Sequence, residues 1–141
     1  MAINAEIKLT KIDNPAKDAP DTIRIKRTKA SGQVKGFMNV LKFQDKDTKQ
    51  FISYCPCFDL SGYGETKEKA LEMLEFSVKE FFHYLLSLSP KQMQAELNSL
   101  GWKQNKISHK EYSKAFVDVN GNLQNFNAVG DKVERMVLSA A

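Results

Sequence analysis

The stretch from Phe51 to Leu86, FISYCPCFDLSGYGETKEKALEMLEFSVKEFFHYLL, limits the possible folds more than any other part of the chain. It opens with Phe51-Ile52-Ser53-Tyr54-Cys55, aromatic and β-branched residues that suit a half-buried pleated surface. Ser61-Gly62-Tyr63-Gly64 follows, and its two glycines predict a turn. Thr66 then stands where a helix N-cap belongs, with Glu65 and Glu68 near the positive end of the helix dipole. Beyond it Leu71, Leu74, Val78, Phe81, Phe82 and Leu85 recur three or four apart, the spacing of one helix face. A strand, a glycine turn and a capped amphipathic helix require a sheet for that face to cover.

The same residues carry a family resemblance. Phe51-Ile52-Ser53-Tyr54-Cys55-Pro56, a loop, Gly64-Glu65-Thr66, Glu68 and Ala70-Leu71 resemble the pattern of HicB-type antitoxins. There a strand ending Tyr-Val-Pro leads through a glycine loop to Gly-Asp-Thr and a Glu-Glu-Ala-Leu helix. Val40-Leu41-Lys42-Phe43 and the polar turn Gln44–Gln50 fit the family's opening hairpin, so the resemblance covers about residues 38–86. The family's Pro-Asp-Leu-Pro-Gly-Cys segment is absent, with Pro56-Cys57-Phe58-Asp59-Leu60 in a shorter loop. The resemblance implies a truncated RNase H-like fold and a protein that occludes a small basic RNase toxin of the HicA-like kind.

Composition sets the class. At 141 residues, 42% hydrophobic and 27% charged, the chain suits one globular core with an appendage. No apolar run reaches the roughly 18 residues of a membrane helix, and no signal peptide is visible, so the expectation is a cytoplasmic protein with no membrane contact. Cys55 and Cys57 make no disulfide framework. The net charge of +4 is uneven: residues 1–49 hold 11 Lys/Arg against 6 Asp/Glu, residues 50–100 hold 4 against 7, and residues 101–141 hold 6 against 4. Basic ends flank an acidic middle, which permits contact with nucleic acid or an acidic partner without requiring it.

In order, residues 3–12 alternate Ala5, Ile7 and Leu9 against Glu6, Lys8 and Thr10, predicting a strand. Residues 13–21 hold two prolines and three aspartates and read as a loop. Thr22–Arg27 alternates again, predicting a second strand, and the polar tract Thr28–Lys35, with Gly32, reads as a turn or mobile loop. Phe37–Phe43 and Phe51–Cys55 form the hairpin. After the long helix, Ser89, Pro90 and Gln92 signal a second one with a Met93, Leu97 and Leu100 stripe, closed by Gly101. Trp102–Lys110 is polar and basic. Tyr112–Val119 and Leu123–Val129 flank Asn120-Gly121, a strong hairpin signal. Asp131 stands as the cap of a last short helix carrying Val133, Met136 and Val137.

Candidate chemistry is sparse. An RNase H-type site needs carboxylates converging on divalent metals. The core strands carry none centrally, and Asp45, Asp47 and Asp59 fall in turns. Cys55 and Cys57, two apart on a strand and so facing the same side, lack the further ligands a metal would need and read as small buried hydrophobes. His83 reads as a packed or surface histidine. His109 ends a run, Leu100-Gly101-Trp102-Lys103 to Ser108-His109, that is similar to the HicA toxin motif with its catalytic histidine, although Ile107 stands where that motif has glycine. A histidine beside a 2′-hydroxyl in a cationic pocket suffices to assist RNA cleavage.

These readings predict an α+β fold: an antiparallel sheet of three to four strands packed by the Thr66–Leu86 helix, then a C-terminal helix and β-hairpin. Residues 1–88 form the HicB-like unit with extra N-terminal strands, and residues 89–141 an extension or small lobe. The leading function is a HicB-like antitoxin or antitoxin-derived binding protein, not an enzyme, needing no cofactor or metal. Glu68, Glu72, Glu75 and Glu80 are the candidate contacts for a basic toxin, set against their being the helix's wet side. The alternative is a stand-alone nucleic-acid-binding protein using Arg24, Lys26, Arg27, Lys29, Lys103 and Lys106 to contact DNA or RNA. Cleavage through His109 is the third reading. Exposed sheet edges also make a homodimer an option.

Overall fold

The computed structural model describes residues 6–13, 21–28, 31–103, 108–110, 116–117, 123–124 and 133–140. In chain order the elements are β1 (Leu9–Asp13), β2 (Thr22–Arg27), β3 (Gly32–Gln44), β4 (Phe51–Cys55), β5 (Leu60–Gly64) and α1 (Lys67–Ser87). They continue with α2 (Pro90–Ser99), β6 (Trp102–Lys103), β7 (Ser108–Lys110), β8 (Phe116–Val117), β9 (Leu123–Gln124) and β10 (Glu134–Ala140). The class is α+β. Among the described residues every strand pairing is antiparallel, and eight strands share one sheet while β8 and β9 pair separately.

The sheet is built on β3. Its first half pairs with β2, from Gly32↔Arg27 to Phe37↔Thr22. Its second half pairs with β4 on the same edge, from Leu41↔Tyr54 to Gln44↔Phe51. Between those two partners Asp21 fills the gap: its Oδ1 accepts from the Asn39 amide at 2.7 Å and from Asn39 Nδ2 at 3.1 Å. The opposite edge of β3 takes β10, which β1 flanks in turn. Of the turn or mobile loop expected at Thr28–Lys35, Lys29 and Ala30 lie outside the described residues, and the Thr28 amide donates to the Ser31 carbonyl at 2.8 Å. Gly32 onward is already strand, because β2 pairs with every residue to Phe37.

Alternation along the strands sorts the side chains. One face carries Ile23, Val34, Met38, Val40, Cys55, Met136 and Leu138, all buried under the helices in a single core. Onto it α1 presents Ala70, Leu71, Leu74, Val78, Phe82, Leu85 and Leu86. Thr66 caps this helix, its hydroxyl accepting from the Lys69 amide at 3.1 Å. Phe81, expected on the core stripe, is half-buried at its rim, with its ring centroid 5.0 Å from that of Phe58. The capping box of α2 forms as expected between Ser89 and Gln92, with Pro90 in the first turn and Gly101 at φ 92° after the helix.

Three further expectations are corrected. Ser61–Gly64 is part of β5, not a turn; the turn is Pro56–Asp59, with Asp59 at φ 55°. Its glycines serve close approach: a Cβ on Gly62 would lie 2.3 Å from the Ala70 carbonyl oxygen and 2.4 Å from the Leu74 nitrogen. The expected last helix at Val133, Met136 and Val137 is β10, held on both edges by β1 and β3. Cys57 lies in the turn, not on the strand with Cys55. The hairpin pairing exists as Phe116↔Gln124 and Val117↔Leu123, while its Asn120-Gly121 turn, Asp131 and the loop at 14–20 lie outside the described residues. No helix among the described residues is long and apolar enough to cross a membrane.

Candidate protein-binding surface

α1 uses one side for the core and shows a second pattern on the other. Glu68, Glu72 and Glu80 are exposed there; Glu75 is half-buried, with its Oε1 at 3.8 Å from Lys11 Nζ of β1. Between the carboxylates stand large apolar groups. Phe76 is 65% exposed, Tyr84 48% and Met73 38%. Met73, Phe76, Glu80 and Tyr84 are three, four and four apart, so they follow one another down the solvent stripe. Sequence reasoning missed the three apolar members because they lie off the core spacing; a second stripe on an already amphipathic helix was the available signal. Lysines interleave with the acids, and Lys67 is committed: its Nζ meets Glu134 Oε1 of β10 at 2.6 Å. That hydrogen bond is the main reason the Glu134 carboxyl is held below its usual range.

The stripe adjoins β5, which pairs with β4 alone among the described residues. Its outer edge is partly occupied, since the Tyr63 amide donates to Met73 Sδ at 3.5 Å. Tyr63 itself is 54% exposed. Helix stripe and strand edge meet at this Met73 contact, while the Tyr63 side chain, alternating with Gly62, lies on the sheet face away from α1.

The expected nucleic-acid contacts divide between the two faces of the sheet. Arg24 and Lys26 point away from the helices and are exposed. Arg27 points toward them, its Nη1 donating to the Leu86 carbonyl at 3.1 Å and also to the Leu88 carbonyl, which satisfies the C-terminal end of α1. Lys103 lies on β6, two strands from β2; Lys29 and Lys106 lie outside the described residues.

Groups considered for chemistry are dispersed. Asp45 Oδ2 accepts from the Asp47 amide at 3.1 Å, the Thr48 amide at 2.9 Å and Thr48 Oγ1 at 3.0 Å, so it organises its turn. Asp59 Oδ1 accepts from the Tyr54 hydroxyl at 2.6 Å; burial first, then this carboxylate, pushes the Tyr54 phenol well above its usual range. Among the described residues no group of three or more His, Cys, Asp or Glu could hold a metal ion. Cys55 and Cys57 are fully buried, with sulfurs 3.4 Å apart. His83 is exposed on α1, and His109 sits on β7 opposite Thr22. Compared with family models, with curated proteins and with solved structures, the chain matches none of them.

Proposed function

We propose that the chain is a HicB-like antitoxin, or a binding protein derived from one, that captures a small basic RNase toxin and performs no chemistry of its own. The observation that carries this reading is the solvent face of α1, where Met73 and Phe76 stand exposed between Glu72 and Glu80 and Tyr84 follows one turn beyond Glu80. Aromatic and methionine side chains are enriched at interfaces and supply most of the binding energy when desolvated. Carboxylates around them favour a cationic partner and speed its approach. The adjoining edge of β5 adds main-chain groups to the same surface.

The test is to look for a neighbouring reading frame that encodes a small basic protein, co-express the two, and measure binding by calorimetry on the purified pair; absence of such a frame also counts against the reading. A Phe76→Ala change is expected to weaken the complex by more than about 1 kcal/mol, as for a central contact residue. Charge reversal at Glu72 and Glu80 to Lys weakens mainly the salt-sensitive part of the affinity. Failure of the basic protein to bind, or binding indifferent to all three changes, defeats the reading. RNA degradation by the purified chain alone, abolished by His109→Ala, would put catalysis in its place.

A further inference from the structure

We propose that the sheet face opposite the helices binds single-stranded nucleic acid, with Arg24, Lys26 and Lys35 holding phosphates and Phe37 stacking a base. The strand register assembles this group. Arg24 and Lys35 are cross-strand partners, and Lys26 faces Gln33. Phe37 follows Lys35 on the same face, about 6.8 Å further along the strand. It is 48% exposed, with Thr22 opposite it on one side and Ser139 on the other. Small hydroxyl neighbours leave its ring open to a planar ligand.

Two observations point to an anion. Like charges directly opposite each other destabilise a sheet, so the Arg24 and Lys35 pair costs the fold unless something neutralises it. Arg24, Lys26 and Lys35 have no ion pair with any described residue, and all three are exposed. At the Lys26 end the face opens into a hollow of about 470 Å³ lined by Glu6, Lys26, Thr28, Ser31 and Gln33; there Glu6 opposes an anion, so the phosphate path runs toward Lys35 and Phe37.

The shape selects an unpaired strand. A broad sheet does not enter a duplex groove, which admits a helix or a two-stranded ribbon. Unpaired bases, in contrast, stack on exposed aromatic rings while their backbone follows cationic side chains. This surface lies across the sheet from the stripe on α1, so the two sites are separable by mutation.

The experiment is fluorescence anisotropy with a short labelled oligouridylate, an oligothymidylate of the same length, and a matched duplex. Wild-type protein binds one or both single strands more tightly than the duplex, with an affinity that drops steeply between about 50 and 200 mM salt. Phe37→Ala weakens single-strand binding roughly five- to a hundredfold, while Phe37→Tyr keeps it. Arg24→Ala with Lys35→Ala lowers the salt slope by about 0.7 for each lost phosphate contact. Phe76→Ala leaves all of this unchanged. Thermal melting checks that each variant is folded. Absence of single-strand binding at low salt overturns the proposal, as does binding that favours duplex or ignores Phe37.

Discussion

Trp102 and Cys57, 45 residues apart in sequence, are joined through the interior: the indole Nε1–H donates to the Cys57 carbonyl at 3.0 Å. The indole also stacks on Phe58, with centroids 5.4 Å apart and planes at 28°, and is 2% exposed. It thereby fixes the Pro56–Asp59 turn from the far side of the core. Trp102→Phe keeps most of the apolar volume and loses the hydrogen bond, an expected cost of about 1–3 kcal/mol. Trp102→Ala adds a cavity and costs about 3–5 kcal/mol. Urea denaturation followed by circular dichroism measures both. Equal, near-zero effects would mean the indole does not hold the turn.

Gly62 and Leu74 mark where α1 lies closest to β5. Leu74 is fully buried, and Leu74→Ala is expected to cost about 2–5 kcal/mol through the cavity it leaves. Gly62→Ala acts oppositely, by excess: its Cβ would overlap backbone atoms of α1, which cannot rotate aside as a side chain can. Its destabilisation should exceed the roughly 0.5–1 kcal/mol that separates glycine from alanine elsewhere, in the direction that favours glycine. A Gly62→Ala protein melting at or above the wild-type temperature would refute the close approach.

Ser53 is the one buried polar residue among the described positions of the core, and its hydroxyl has no hydrogen-bond partner among them. An unsatisfied buried hydroxyl costs about 1–3 kcal/mol. Ser53→Ala removes it with little change in volume and should raise the denaturation midpoint. A lowered midpoint would show that the hydroxyl is bonded in solution.

Glu134 links stability to pH. Its carboxyl is held low by the Lys67 hydrogen bond, with burial opposing. A carboxyl depressed in the fold contributes stability above the ordinary glutamate value of about 4.3 and loses it as pH falls through the lower folded value. The group is exposed, so screening limits the contribution to roughly 0.2–1 kcal/mol. Wild type and Glu134→Gln should therefore differ modestly at neutral pH and converge in acid. About 1 M salt should narrow the neutral-pH gap. A gap that widens in acid would contradict the assignment.

How much of this was legible depends on whether one residue's environment was set locally. The bounds of β2 and β4, the Thr66 cap and the Ser89–Gln92 capping box all follow from neighbours in sequence, and they appear where the pattern put them. β10 did not follow. Val133, Met136 and Val137 have helical spacing, but Met136 and Leu138 lie under the helices while Val137 is buried on the opposite face. A strand apolar on both faces loses the alternation that identifies it. Trp102 sits in a polar, basic stretch, and its burial comes from a turn far back in the chain. Lys35 belongs to a basic tract visible in the sequence, but Phe37 joined it as a candidate site only when β2 placed Arg24 opposite Lys35 on the same face.

The position of β10 has a consequence for how the protein comes to exist. Arg135 reaches Asn39 across 96 residues, and β10 fills the slot between two strands made far earlier in synthesis. Among the described strands, the one that closes this part of the sheet is made last. Long-range pairings of this kind are slow, because the loop entropy is lost before the contacts are gained. Until residues 134–140 leave the ribosome, β1 has no described strand to join and β3 keeps an open edge, the form most prone to pairing with other chains. Translation rate and growth temperature should accordingly govern how much folded protein is recovered, even for sequences whose finished fold is equally stable.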